Sequence, residues 1–354
     1  MRFRHLTLIL VVALAATLYP AVTWAQGADG LSAREISDQV QTNMSLVGSG
    51  SPAQVRDGRS ALLKALRSPG MSNSTRLQYS SSLQQEGLGA MASDDDDLIA
   101  INAIIVASEI ATPLSVTILG DAIDDPREAI RYEAARGYGR VLSAVADNAA
   151  AIPENQIDLI YLQIADRFTT ERSDQVLQAL ILALRLDHGD SELRTRCAIV
   201  MCQGVSRISI RWRGAGASEE QALTIFRAIN AAFRELLDSR GAVDDGFATS
   251  AAIASGHALT FLAAWLENTP PDQMDSDTKQ LAIDLGGAAE RVLLLSHSTL
   301  TGETLGERIT PLLKRFVEGR GSSLKAIKDE IDTWTGQRGL LLKAPYNVNA
   351  SDFN

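Results

Sequence analysis

Apolar side chains recur at three- and four-residue spacing along most of this chain, which predicts amphipathic helices joined by short loops. The capping pattern Ser32-Ala-Arg-Glu35 starts the first, with Ile36, Val40, Met44 and Val47 on one face. Ser51-Pro52 opens the second, with Val55, Leu62, Leu63 and Leu66 inside, and Pro69-Gly70 ends it. Residues 72–89 are polar, and their best stripe is Leu77, Leu83 and Leu88. Four aspartates, Asp94–Asp97, then precede Leu98–Ile110, which is apolar on nearly every side. The aspartates suit the positive end of that helix better than a calcium loop. The helix should be central, with Asn102 buried and in need of a partner.

Further on, Pro153–Phe168 carries Ile157, Ile160, Ile164 and Phe168, and Ser173–Leu186 carries Val176, Leu177, Leu180 and Leu184. Ser191–Ser206 is predicted as the next helix. It runs into Arg207-Ile-Ser-Ile-Arg211-Trp212-Arg213 and then Gly214-Ala-Gly-Ala217, a candidate boundary between two halves. Beyond it, Ser218–Gly241, Phe247–Leu266, Asp277–Leu295, Glu303–Glu318 and Ser322–Trp334 read as helices, with Pro311 a kink or a new start. From Gly339 the periodicity fades, leaving a tail that is either disordered or docked in extended form through Leu340–Leu342.

The stretch Thr112–Val145 holds the clearest architecture. Thr112-Pro113 starts one helix (Val116, Leu119, Ile123), and Asp125-Pro126-Arg127-Glu128 starts another (Ile130, Ala134, Tyr138, Val141, Val145), with Asp125 as its cap. A two-residue turn makes the two antiparallel. Asp125-Pro126, Ile130-Arg131, Ala134-Ala135 and Gly139 resemble a HEAT repeat. That resemblance implies that Asp and Arg tie the turn between helices, that the small residues permit close approach, and that neighbouring pairs stack. The expected fold is all-α, an irregular α-solenoid of antiparallel helix pairs. A helical region at 26–213 continues through 218–336, followed by a tail at 337–354.

Composition and the N-terminus change the picture in two ways. Alanine-rich, aromatic-poor composition (5% aromatic) favours close helix packing over an all-β fold. Arg2, Arg4 and His5, then the apolar Leu6–Leu18, Pro20 and the small-residue site Thr23-Trp24-Ala25 form a secretory signal, with cleavage expected after Ala25. The mature chain is then expected in a periplasm or the extracellular space, with no later segment long and apolar enough to span a bilayer. Losing Arg2 and Arg4 makes a chain of net charge −10 more acidic still, which disfavours nucleic acid as a partner. Cys197 and Cys202 sit five apart in one predicted helix and read as buried free thiols.

Candidate chemistry is sparse. There is no Walker loop, nucleophile elbow, zinc-binding helix or paired-cysteine motif, so no catalytic residue, metal ligand or cofactor is expected. His188, His257 and His297 are unpaired in sequence and read as structural. The resemblance implies a surface for a protein partner, and Arg131, Arg136 and Arg140 are its candidate residues, with Arg131 also a candidate for a structural role. Arg211, Trp212 and Arg213 are a second candidate, an anion- or carbohydrate-binding spot or else a frayed helix end. A non-catalytic binding scaffold is the leading expectation. An enzyme or binding module for an envelope polysaccharide, with Trp212, Trp265 and Trp334 stacking sugars, is the alternative.

Overall fold

The computed structural model describes residues 30–68, 71–185, 191–215, 219–238 and 244–353. Among them all regular structure is helical. The predicted signal, His188 and the Pro69-Gly70 stop lie outside the described residues. Ser32 and Glu35 close a reciprocal capping box at the start of α1 (Ala33–Val47), whose Ile36, Val40, Met44 and Val47 are buried. α2 (Pro52–Leu66) packs on α1. α3 (Asn73–Gln85) departs from its expected stripe, because Leu77 is exposed while Arg76, Tyr79, Ser80 and Leu83 are buried. Its polar face does the docking. Tyr79 donates to Gln39 at 2.7 Å, Ser80 shares a hydrogen bond with Thr112 at 2.8 Å, and Arg76 Nη1 donates to the carbonyls of Glu109 and Ile110. Apolar periodicity cannot register such a face.

After the short α4 (Leu88–Ala92), α5 (Asp97–Ile110) takes the central place its composition predicts. It touches α2, α4, α6 (Pro113–Ala122) and α7 (Glu128–Ala146). Asp96 caps it by accepting the Leu98 N–H. Asn102 is buried between two partners, donating to the Leu98 carbonyl and accepting from Arg59 at 2.7 Å. α6 and α7 pack together as expected, but α7 begins two residues later than the sequence suggests. Asp125 does not cap it. The Asp125 carboxylate grips Arg127 through its N–H and guanidinium, and Arg127 also reaches the Asp94 carbonyl and Asp97, which holds the turn extended up to Glu128.

The remaining helices are α8 (Glu154–Thr170), α9 (Asp174–Ala183), α10 (Ser191–Ala215), α11 (Glu219–Asp238), α12 (Asp245–Asn268) and α13 (Ser276–Thr301). They fall into two rows: α5, α7, α9, α11 and α13 each touch the next in that order, and so do α6, α8, α10 and α12. Both rows continue past the Gly-Ala-Gly-Ala run, of which residues 216 and 217 lie outside the described set. Polar ties between neighbouring elements vary in the stretch of chain they span, 25 residues for Tyr138–Gln163 and 61 for Lys328–Glu267, and six of them cover similar stretches. Arg59–Asn102, Arg67–Glu109, Arg131–Glu171, Arg167–Asp124, Arg196–Glu154 and Arg207–Asp166 are all 40 to 43 residues apart. Two helices with their turns occupy about that length.

α12 overturns one expectation. By length and composition it is apolar enough to cross a membrane, although 72% of its apolar window is buried in the protein. Its Ala, Gly and Ser positions let α10, α13 and α15 (Leu324–Thr335) crowd around it. The predicted helix over 303–318 is also shorter, because α14 spans only Ile309–Val317. Buried Glu290 sets that boundary by accepting the N–H groups of Arg308, Ile309 and Thr310 at 2.6–2.7 Å. Pro311 then falls in the first turn, where its missing N–H is harmless. The tail is docked. Leu341, Tyr346 and Phe353 are buried, Leu340–Leu342 forms a single 3-10 turn, and Arg213 donates to the Phe353 carbonyl at 2.7 Å.

Candidate functional site

A groove of about 880 Å³ crosses the row α5–α7–α9 and reaches the segment joining α2 to α3. On α7, Tyr132, Arg136, Gly139, Arg140 and Ser143 share one face at helical spacing; on α9, Gln175, Gln178, Ala179 and Leu182 do the same. Most of these residues lie off the buried stripes of the two helices, although Ala179 is itself buried. Gly139 draws the walls together: a Cβ there would lie 3.1 Å from the Ala183 Cα, so α7 and α9 approach almost backbone to backbone. The floor mixes Leu66, Met71, Ala144 and Ala183 with an exposed Leu182.

Charge is unevenly shared. The lining holds five arginines, Arg67, Arg76, Arg136, Arg140 and Arg185, against Glu109 and Asp147. Arg67 forks onto Glu109. Arg140 donates to Ser108 at 2.9 Å and to buried Glu133 at 2.6 Å. Arg76 is 6% exposed, its Nη1 held by two carbonyls while its Nε donates to nothing. Burial lowers its pKa, and Glu109 nearby opposes that shift. Arg136 and Arg185 are the loosest. Their side chains are more than half exposed, and they reach Glu133 and Glu235 only at 3.5 and 4.0 Å. The Arg136 guanidinium also lies 5.8 Å from the centre of the Tyr132 ring.

The sequence candidates thus separate. Arg136 and Arg140 stand on the groove wall, while Arg131 is engaged elsewhere. Its Nη1 donates to the Asp125 and Pro126 carbonyls, and its Nε and Nη2 fork onto fully buried Glu171 at 2.9 and 3.2 Å. Burial alone would raise the Glu171 pKa. Donation from Arg131, the Ser173 and Arg172 N–H groups and Arg167 outweighs it and holds the carboxyl at about 2. The Asp-Arg tie implied by the resemblance therefore runs through the Asp125 backbone carbonyl, while its carboxylate serves Arg127.

Arg211, Trp212 and Arg213 lie in the last turns of α10, which runs unbroken from Ser191 to Ala215; the segment is not frayed. Trp212 is buried, with Arg211 over its ring at 5.2 Å and Arg213 tied to the tail. Trp265 and Trp334 are buried as well, so none of the three offers an open stacking face. His257 lies against Phe353, and burial, with Arg213 adding to it, lowers its pKa to about 4. His297 shares a 2.9 Å hydrogen bond with Tyr346. Cys197 and Cys202 are free and buried, and burial raises the pKa of both thiols. Among the described residues no group of three or more His, Cys, Asp or Glu is placed to hold a metal ion.

The sequence singled out Arg136 and Arg140 but missed Arg67, Arg76, Tyr132, Leu182 and Arg185. The exposed stripe Tyr132-Arg136-Arg140 on α7 was a usable signal; nothing in sequence announces that residues near 67, 76 and 185 converge on it.

No family model matches this sequence, and no curated protein matches it. Among solved structures it is similar to engineered proteins from the Northeast Structural Genomics Consortium. One is 15% identical, covering 72% of this chain and 97% of that one at a TM-score of 0.30. Another is 14% identical, covering 83% and 98% at 0.29.

Proposed function

We propose that this chain is an exported, irregular HEAT-like α-solenoid, a non-catalytic scaffold that binds a protein partner in the groove across α5, α7 and α9. The supporting observation is the groove itself: a mixed apolar and basic channel on one row of helices, with exposed Tyr132 and Leu182. Stacked repeats bury their apolar stripes against each other and leave such faces for recognition. The test is site-specific photo-crosslinking in cells exporting the protein, with the photoreactive side chain at Leu182 in the groove or at Leu162, exposed on α8 in the other row. A defined protein adduct from position 182 and none from 162 is the expected result. Equal labelling from both positions, or no protein adduct, overturns the reading.

A further inference from the structure

Resting on that reading of the groove, we infer that its occupant is an extended acidic peptide segment in which carboxylates alternate with apolar side chains. Charge complementarity is the first argument. Five arginines line one channel in a chain of net charge −10, so this is a local basic site on an acidic molecule. Glu109 and Glu133 already hold Arg67 and Arg140, but Arg136 and Arg185 keep only long contacts and are open to an incoming carboxylate.

The buried end supplies an independent argument. Arg76 brings a charge into the protein with two carbonyls as hydrogen-bond partners, and the carboxylate that acts on it, Glu109, is also claimed by Arg67 and Arg140. Three guanidinium groups on one carboxylate leave positive charge uncompensated, and an anion entering beside them relieves that cost. The floor then selects a peptide over a free anion. Leu66, Met71, Leu182 and the Tyr132 ring line the channel together with the arginines, so a ligand filling it would present apolar groups as well as charges. The amides of Gln175 and Gln178 suit the free backbone of an extended segment.

The measurement is fluorescence anisotropy of the mature protein with a labelled dodecapeptide alternating Glu with Leu and Phe. Its Gln-for-Glu and Lys-for-Glu counterparts and polygalacturonate are run beside it. Arg136→Glu/Arg185→Glu tests the charge, and Leu182→Ser tests the floor; circular dichroism confirms that each variant is folded. The expected result is binding of the acidic peptide that weakens with added salt and falls at least about tenfold in each variant. The Gln peptide should bind about tenfold more weakly than the Glu peptide, and the Lys peptide should not bind. Tighter binding of the Lys or Gln peptide overturns the acidic occupant while leaving a protein-binding groove in place. Polygalacturonate binding in place of the peptide, or peptide binding indifferent to the charge reversal, also overturns it. Photo-crosslinking from position 182 reports on the protein-binding reading separately.

Discussion

Arginines that look alike in the sequence do opposite work. Arg131 is tied to two carbonyls and to fully buried Glu171, whereas Arg136, five residues on, has an exposed side chain and one long ion pair. Replacing Arg131 with Ala strips one partner from a buried carboxylate that keeps Arg167 and two N–H groups; a loss of about 2 kcal/mol is expected in a urea titration. Arg136→Ala should cost less than about 0.5 kcal/mol in the same titration, which makes it the cleaner probe of binding. The buried titratable groups predict acid sensitivity in two windows. His257 is neutral in the fold with its pKa lowered to about 4, so the unfolded chain takes up the proton first. Its contribution is full above about pH 6.5 and is lost as pH falls toward 4. Glu171 contributes above the ordinary carboxyl range, and that stability is lost as pH falls toward about 2. His257→Leu should flatten the pH dependence of the unfolding midpoint between pH 7 and about 4.5 and leave the lower window in place.

At the level of single helices, the legibility of the sequence followed the kind of contact. α1, α6 and α8 bury apolar stripes and were readable by periodicity. α3 docks through Tyr79, Ser80 and Arg76, whose partners lie 32 to 40 residues away, and no local pattern contains that information. The start of α14 is set by Glu290, 18 to 20 residues earlier, for the same reason. Gly139 belongs to the readable class, as one of the small residues carrying the repeat resemblance. Gly139→Val would push against the Ala183 backbone and spread α7 from α9. A loss of about 1–3 kcal/mol is expected by thermal unfolding, together with weaker capture of any groove ligand.

Across the whole molecule, helix content and the absence of obvious disulfide chemistry were plain from composition, while the convergence of five arginines was not. Residues near 67, 76, 136 and 185 share a channel only because helices two apart in sequence lie side by side. The end of the chain was ambiguous because its anchors, Leu341, Tyr346 and Phe353, are too widely spaced to form a pattern. Ending the chain after Gly339 removes all three and opens the face around Gly256, where Leu341 and Phe353 sit. Each large apolar side chain contributes roughly 1.5–3 kcal/mol on burial, so the melting temperature should drop by about 5–10 °C. Light scattering should show concentration-dependent association of that shortened form.

The six polar ties that each span 40 to 43 residues have a mechanical consequence. Stretched between its termini in an optical trap, a chain so tied would lengthen in a staircase of rips instead of one. Each step would free the contour of about one helix pair, on the order of 14 nm at full extension.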